Sequence, residues 1–310
     1  MLLGMTLLLT ACANGDDNQQ TQTFIGGNNG LDIEFVTDAP PESVADRGQQ
    51  PFDVIVQLTN LGESDVAGED VLVTLEGFPP SDFGKSVGDM SKNASQTIER
   101  RYRVPGEDRV IEGAPVFVEF EDFVFDDSAP GDLEYPIRAN VCYAYETRAS
   151  SRLCISENLN RPGENEVCNP SQTTSPSNSG APVQVTELAQ SPGGSETIRF
   201  SFTIENMNPE TGRVYRTDSQ CDSDFRSSNR VFVAISGLES TGEISCSGLR
   251  EGTASSGYTS LSDGRSTEVH CSLNVPEINR NNRVENFIIN IGYDYRESIR
   301  QDINVRYSLD

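Results

Sequence analysis

Apolar residues recur at every second position along most of this 310-residue chain, and this period restricts the fold more than any other feature. It is clearest in two segments, with apolar residues at positions 52, 54, 56 and 58 and at positions 198, 200, 202 and 204. Successive side chains of a β-strand point to opposite faces, so this period is typical of half-buried strands. No segment has a sustained helical period. The sequence therefore predicts an all-β fold.

The strand patterns occur in two ordered sets, which indicates an internal duplication. Four segments of the first set match four of the second: Phe52–Leu58 with Ile198–Ile204, Val71–Phe78 with Val231–Leu238, Ser95–Pro105 with Ser266–Pro276, and Asn140–Tyr145 with Asn290–Tyr295. A short further strand is predicted after each set, at Arg152–Ser156 and at Ile303–Leu309. The alternative is two unrelated β domains that share a generic alternation.

Turn residues divide each half into short strands, in the number and spacing typical of an antiparallel sandwich. We predict two tandem immunoglobulin-like antiparallel β-sandwiches, over residues 31–156 and 182–310. A leader over residues 1–12 and a flexible tether over residues 13–30 precede them. Residues 157–181, rich in Asn, Pro, Ser, Thr and Gly, are predicted to be a linker.

The tetrapeptide Leu9-Thr10-Ala11-Cys12 ends the apolar run of residues 1–9 and resembles the lipobox of surface lipoproteins. The run is shorter than the roughly 20 residues that span a bilayer. The resemblance implies lipidation of Cys12 and a location at the extracellular face of the cytoplasmic membrane or at the cell surface. No Lys or Arg precedes Leu9, so the alternative is an apolar N-terminus that is not cleaved.

The chain carries 23 basic and 48 acidic residues, a formal charge of −25, which opposes binding to nucleic acid or to anionic lipid through charge attraction. Lysine occurs only at Lys85 and Lys92, so 23 − 2 = 21 of the basic residues are arginines, and Trp is absent. This composition resembles that of proteins from extreme halophiles, since molar salt shortens the Debye length to about 3 Å and removes self-repulsion. The alternative is an ordinary acidic extracellular protein.

The alternation of Phe52–Asp65 runs into Asn60-Leu61-Gly62-Glu63 and is followed by Val71–Gly77. These two segments resemble the adhesion-type immunoglobulin-like modules that are common in archaeal surface proteins. The resemblance implies a fold and a surface setting, and no particular role, because such modules host many functions. The Cys, Trp and Cys arrangement of antibody domains is absent.

Six cysteines remain once Cys12 is assigned to lipid, and an even number predicts structural disulfides outside the cell. They are Cys142, Cys154, Cys168, Cys221, Cys246 and Cys271. A predicted hairpin centred near Arg148 places Cys142 opposite Cys154. We also expect Cys246 to bond Cys271 between neighbouring strands, which leaves Cys168 for Cys221. Six cysteines allow 15 pairings, so other pairings stay open.

Residues that could carry chemistry are few. The single histidine, His270, is adjacent to Cys271, and consecutive strand residues point to opposite faces, so the two are a poor catalytic dyad. There is no phosphate-binding loop. Two acidic clusters are weak calcium candidates, with a solvated surface as the alternative: Asp122, Asp126 and Asp127 with Glu119 and Glu121, and Asp218, Asp222 and Asp224. Asn93-Ala94-Ser95 is a glycosylation sequon. We expect no cofactor and no enzymatic activity.

These features predict a lipid-anchored, non-enzymatic surface protein that presents two domains for binding or adhesion at the cell envelope. Its partner is an envelope protein or glycan, and an exposed edge strand can bind by strand addition. One alternative is a subunit of an extracellular fibre or surface coat that associates with itself. A second is an envelope hydrolase or a solute-binding component, which would have a deep polar cleft between the two copies.

Overall fold

A computed structural model describes residues 24–48, 50–157 and 167–308 of the chain. Within these residues the protein is built from antiparallel sheets, one parallel strand pair and short 3₁₀ helices, which confirms the all-β class. Cys12, the leader and the tether up to Thr23 lie outside the described residues. In the part of the chain described, no helix is long and apolar enough to span a bilayer.

The first half contains nine strands, bounded as follows: β1 (Leu31–Phe35), β2 (Ser43–Ala45), β3 (Phe52–Asn60), β4 (Val71–Glu76), β5 (Ser91–Asn93), β6 (Tyr102–Arg103), β7 (Val110–Ile111), β8 (Val116–Phe123) and β9 (Leu133–Ile155). The 3₁₀ helices of this half are Gly68–Asp70, Pro80–Phe83 and Val87–Met90.

The second half contains ten strands, bounded as follows: β10 (Gln172–Thr174), β11 (Ser177–Asn178), β12 (Val183–Pro192), β13 (Thr197–Asn206), β14 (Arg213–Tyr215), β15 (Arg230–Ser236), β16 (Glu243–Ser247), β17 (Ser256–Ser260), β18 (Ser266–Asn274) and β19 (Arg283–Arg306). A 3₁₀ helix, Glu277–Asn279, precedes β19.

One sheet is shared by both halves, because β9 and β19 pair antiparallel from Leu133 opposite Val305 to Ile155 opposite Arg283. Its strand order is β17-β15-β19-β9-β4-β5. The short strands predicted at Arg152–Ser156 and Ile303–Leu309 are wrong as separate elements, since they continue β9 and β19. The predicted hairpin near Arg148 is also wrong. No Gly or Pro interrupts the chain there, and buried residues continue to alternate through it.

Each half adds a smaller sheet, and the two smaller sheets share a core of three equivalent strands. In the first half the order is β1-β3-β8, and in the second it is β10-β12-β13-β18-β16, so β12, β13 and β18 are the counterparts of β1, β3 and β8. Three of the four predicted sequence matches join structurally equivalent strands, namely β3 with β13, β4 with β15 and β9 with β19. The match of Ser95–Pro105 with Ser266–Pro276 is wrong, because β8 pairs with β3 as β18 pairs with β13.

Four tyrosines lie at the centre of the shared sheet and are related by a pseudo-two-fold axis. Tyr145 is opposite Tyr293 and Tyr143 is opposite Tyr295, so the axis passes through the pair of Ala144 and Asp294. All four rings are buried and contact one another edge-on or tilted. A single cluster of buried apolar side chains therefore runs through both halves.

Parts of the predicted tether and linker belong to the folded structure. The backbone N–H groups of Ile25, Gly26 and Gly180 all donate to the carboxylate of Glu63, at 2.7–3.0 Å. Strands β10 and β11 lie within the predicted linker. The prediction of flexibility for residues 24–30 is therefore wrong, because these polar backbone groups are satisfied by the first half and by the end of the linker.

Candidate functional site: the open edge of strand β8

Disulfides join the six cysteines of the described chain in three pairs: Cys142 with Cys221, Cys154 with Cys168, and Cys246 with Cys271. The Cys246–Cys271 bond is the one predicted. The predicted bonds of Cys142 with Cys154 and of Cys168 with Cys221 are wrong. Cys142 and Cys154 lie in the one continuous strand β9, so no hairpin brings them together.

Two of these disulfides hold the outer strands of the second small sheet. Cys246 of β16 bonds Cys271 of β18, with the Cα atoms 4.0 Å apart. Cys168, which bonds Cys154, lies just before β10. Strands β10 and β16 therefore cover β12 and β18 on their outer sides, and covalent bonds keep both strands in place.

The first small sheet has no counterpart of either covering strand among the described residues. Strand β8 is eight residues long and pairs only with β3. The short helices Pro80–Phe83 and Val87–Met90 occupy the stretch of sequence where the second half has β16. One edge of β8 is therefore left unpaired, while the equivalent edge of β18 is covered.

The hydrogen bonds of β3 show which groups of β8 face this open edge. Ile55 donates from its backbone N–H to Ala39 and accepts at its carbonyl from Val36, both at 3.0 Å and both on the side away from β8. Glu119 is opposite Ile55, so its N–H and C=O point away from β3. Phe117, two residues away on the same strand, points the same way. The open edge thus presents the backbone groups of Phe117 and Glu119.

The side chain of Lys92 covers part of this edge. The Nζ atom of Lys92 donates to the carbonyl oxygen of Glu119 at 2.7 Å and lies 5.4 Å from the centre of the Phe120 ring. The second lysine, Lys85, lies 5.4 Å from the centre of the Phe123 ring. Both lysines line a small cavity of about 160 Å³ beside β8. Lysines at exposed edges hinder unwanted strand pairing, and Lys92, one of only two lysines in the chain, is placed to do so.

The side chains along the edge divide cleanly between the two faces of β8. Val118 and Phe120 are buried in the core, whereas Phe117 is 44% exposed and Glu119 and Glu121 are exposed. A β-bulge ends the edge at Asp122, whose backbone is left-handed (φ 59°) and whose N–H donates to the Asp53 carboxylate at 2.8 Å. An added strand therefore meets one large apolar and two acidic side chains.

The predicted calcium ligands are not brought together. In the residues that the structure describes, no group of three or more acidic, Cys or His side chains is arranged to hold a metal ion. The Asp222 carboxylate accepts from the N–H of Asp224, at 3.2 Å, within one loop. Asp218 lines a 160 Å³ cavity beside Asp294. Asp126 faces the Cα of Gly48, and the Asp127 carbonyl accepts from Arg47.

The other predicted site residues have ordinary surroundings. The imidazole of His270 is exposed, 3.8 Å from Glu268, and its neighbour Cys271 is bonded to Cys246. The amide nitrogen of Asn93 donates to the carbonyl oxygens of Glu69 and Val71, at 2.9 and 3.0 Å. The sequence does not predict that β8 lies at an open edge, since the alternation from Val116 to Phe120 indicates only a strand.

No family model matches the sequence, and no curated protein matches it. The collagen-binding domain of the Erysipelothrix rhusiopathiae surface protein RspB is 9% identical over 90% of each chain, with a TM-score of 0.12. A chaperone–tip adhesin complex of CFA/I fimbriae is 9% identical over 90% of this chain and 84% of that one, with a TM-score of 0.10. These likenesses to surface adhesin domains are very weak and carry no argument about function.

Proposed function

We propose that this protein is a non-enzymatic binding protein of the cell envelope, anchored by lipid on Cys12, that captures an extended segment of a partner protein along β8. The observation that carries the proposal is the difference between two equivalent edges. The β18 edge is covered by a disulfide-bonded strand, whereas the β8 edge pairs with no second strand. Strand addition uses such groups for affinity and the side chains at alternate positions for specificity.

The disulfides support the extracellular setting. Three bonds within one chain are typical of proteins that fold in an oxidising compartment.

The side chains of the edge indicate the chemistry of the partner. A cross-strand neighbour of Glu119 or Glu121 is favourable when it is basic, and a neighbour of Phe117 is favourable when it is apolar. Pairing β8 of one copy with β8 of another instead places acidic side chains of two chains of charge −25 against each other. The edge therefore favours a basic, partly apolar segment of a different protein over self-assembly into a fibre.

The test is site-specific photocrosslinking in native cell envelopes. A photoreactive residue replaces Glu119 on the open edge or, as the matched control, His270 on the covered strand β18. We expect a discrete protein adduct from position 119 and none from position 270. The change Phe117→Pro, which removes one outward N–H and leaves the pairing with β3 intact, should abolish the adduct.

Equal adducts from positions 119 and 270 would overturn the proposal. So would an adduct at position 119 that persists in the Phe117→Pro variant. An adduct that contains a second copy of this chain would instead support the fibre subunit.

A further inference from the structure

A groove rich in arginine lies where the N-terminal segment meets both halves. Its volume is about 350 Å³. The lining contains four arginines, three from one short stretch of the first half and one from β9: Arg100, Arg101, Arg103 and Arg148. Phe24, Ile25, Tyr102 and Ile288 supply apolar surface to the same groove. The lining holds four arginines and one carboxylate, that of Glu63, in contrast with the overall charge of −25.

Two of these arginines have only weak acidic partners. Arg100 is 3.9 Å from Asp65, and the side chains of both residues are about half exposed. Arg103 is 2.5 Å from Asp108, whose side chain is 97% exposed. Exposed ion pairs of this kind contribute little and are readily exchanged. Both guanidinium groups can therefore turn to a ligand at low cost.

The other two arginines have no acidic partner. Within residues 24–48, 50–157 and 167–308, no carboxylate lies within ion-pair distance of Arg101 or Arg148. Arg101 donates to the carbonyl of Gly26, and its buried Nε atom has no hydrogen-bond partner. Glu63 also lines the groove, but its carboxylate accepts from three backbone N–H groups and forms no ion pair with Arg101. A buried donor without an acceptor is destabilising, so the Arg101 guanidinium keeps unused hydrogen-bonding capacity.

We propose that this groove binds a sugar unit that carries a carboxylate, such as a uronic acid of an acidic glycan. Guanidinium groups match a carboxylate in two-pronged geometry. A singly charged carboxylate is repelled less by this acidic protein than a phosphate group, which carries nearly two charges. The apolar walls favour a ring-shaped body over a bare ion, and the volume lies within the range of small-ligand sites.

The test is calorimetric titration of the full chain with digalacturonate. The variant Arg148→Gln removes an exposed guanidinium that has no ion pair, so it should fold normally. Arg138→Gln is the matched control, since Arg138 is also exposed on β9 and lies outside the groove. We expect Arg148→Gln to weaken binding at least about tenfold, as is typical of a charge-assisted hydrogen bond, and Arg138→Gln to leave it unchanged.

Three results would overturn the inference: no binding of digalacturonate, equal binding of its methyl ester, or tighter binding of an oligoglutamate peptide. Competition by sulfate at equal concentration would identify a site for an adventitious ion only and would overturn it as well. The open edge of β8 is tested separately, because Phe117→Pro should not alter this titration.

Discussion

Tyr145 donates from its hydroxyl to the side-chain oxygen of Asn60, at 3.1 Å, in the interior of the first half. The pseudo-two-fold axis repeats this contact in the second half, where Tyr295 donates to Asn206 at 3.0 Å. Each tyrosine belongs to the shared sheet, and each asparagine ends the central strand of a small sheet. Each tyrosine–asparagine hydrogen bond thus joins the shared sheet to the small sheet of its half. The two bonds lie at equivalent positions of the duplicated sequence.

The change Asn60→Ala should strongly destabilise the first half. The Asn60 amide also donates to the carbonyls of Ser64 and Ile98, and its oxygen accepts from the N–H of Gly62. Losing this fully buried side chain leaves several groups unsatisfied, and we expect a loss of about 2–4 kcal/mol. Chemical denaturation measures it. Asn274→Ala, at an exposed position, is the control and should change little.

Removing the Cys142–Cys221 bond should destabilise the protein more than removing the Cys154–Cys168 bond. The first closes a sequence separation of 79 residues and the second one of 14. Loop-closure entropy corresponds to about 4.5 kcal/mol for the longer loop and about 3 kcal/mol for the shorter. Thermal unfolding of the two paired Cys→Ser variants compares them. An equal or reversed order of midpoints would show that native contacts, rather than loop length, set the contribution.

Local patterns were sufficient to predict the all-β class and the duplication, because period two is a property of each strand by itself. The pairing of β9 with β19 has no such local signal. Strands of 23 and 24 residues are far longer than the usual five or six, so strand length alone predicts a turn near Arg148. That one error also produced the two wrong disulfides.

The site was harder to predict than the fold. Their closeness in sequence predicts a shared calcium site for Glu119 and Glu121, whereas both side chains lie on the solvent-exposed face of β8. Whether a strand lies at an edge depends on which other strands pair with it. Comparing the two edges requires the equivalence of β8 with β18. The wrong match of Ser95–Pro105 with Ser266–Pro276 gave β18 a different counterpart.

The change Glu297→Gln should stabilise the protein increasingly as the pH rises. Burial raises the pKa of the Glu297 carboxyl above its ordinary value, more than the hydrogen bond from Tyr143, at 3.0 Å, lowers it. The folded state therefore binds this proton more tightly than the unfolded state, and stability is lost as the pH rises through the raised pKa. Melting temperatures of both proteins from about pH 4 to 8 give the difference. A difference that does not change with pH would contradict this.

Salt should stabilise the folded protein. Forty-eight acidic and 23 basic residues leave a charge of −25 to be confined in the compact state. Raising NaCl from about 0.1 M to 1 M shortens the Debye length from about 10 Å to about 3 Å and weakens this repulsion. We expect the melting temperature to rise over this range, most steeply at its lower end. A melting temperature that falls with added NaCl would contradict the halophilic character predicted from composition.

The change Lys92→Met should make the open edge of β8 pair more readily with another strand. Methionine can keep the contact with the ring of Phe120 but frees the carbonyl oxygen of Glu119, which the ammonium now occupies. Lysine at an edge hinders pairing, so its loss should raise the photocrosslinking yield from position 119. It should also cause self-association in about 1 M NaCl, where acidic side chains no longer repel across the pair.

Lys85→Met is the matched control for this change, because Lys85 lies over the ring of Phe123 and donates to no carbonyl oxygen of β8. Light scattering at low and high salt compares the two variants with the unmodified protein. We expect only Lys92→Met to associate, and only at high salt. Association of both variants would assign the effect to lost positive charge, whereas association of neither would show that the ammonium of Lys92 does not protect the edge.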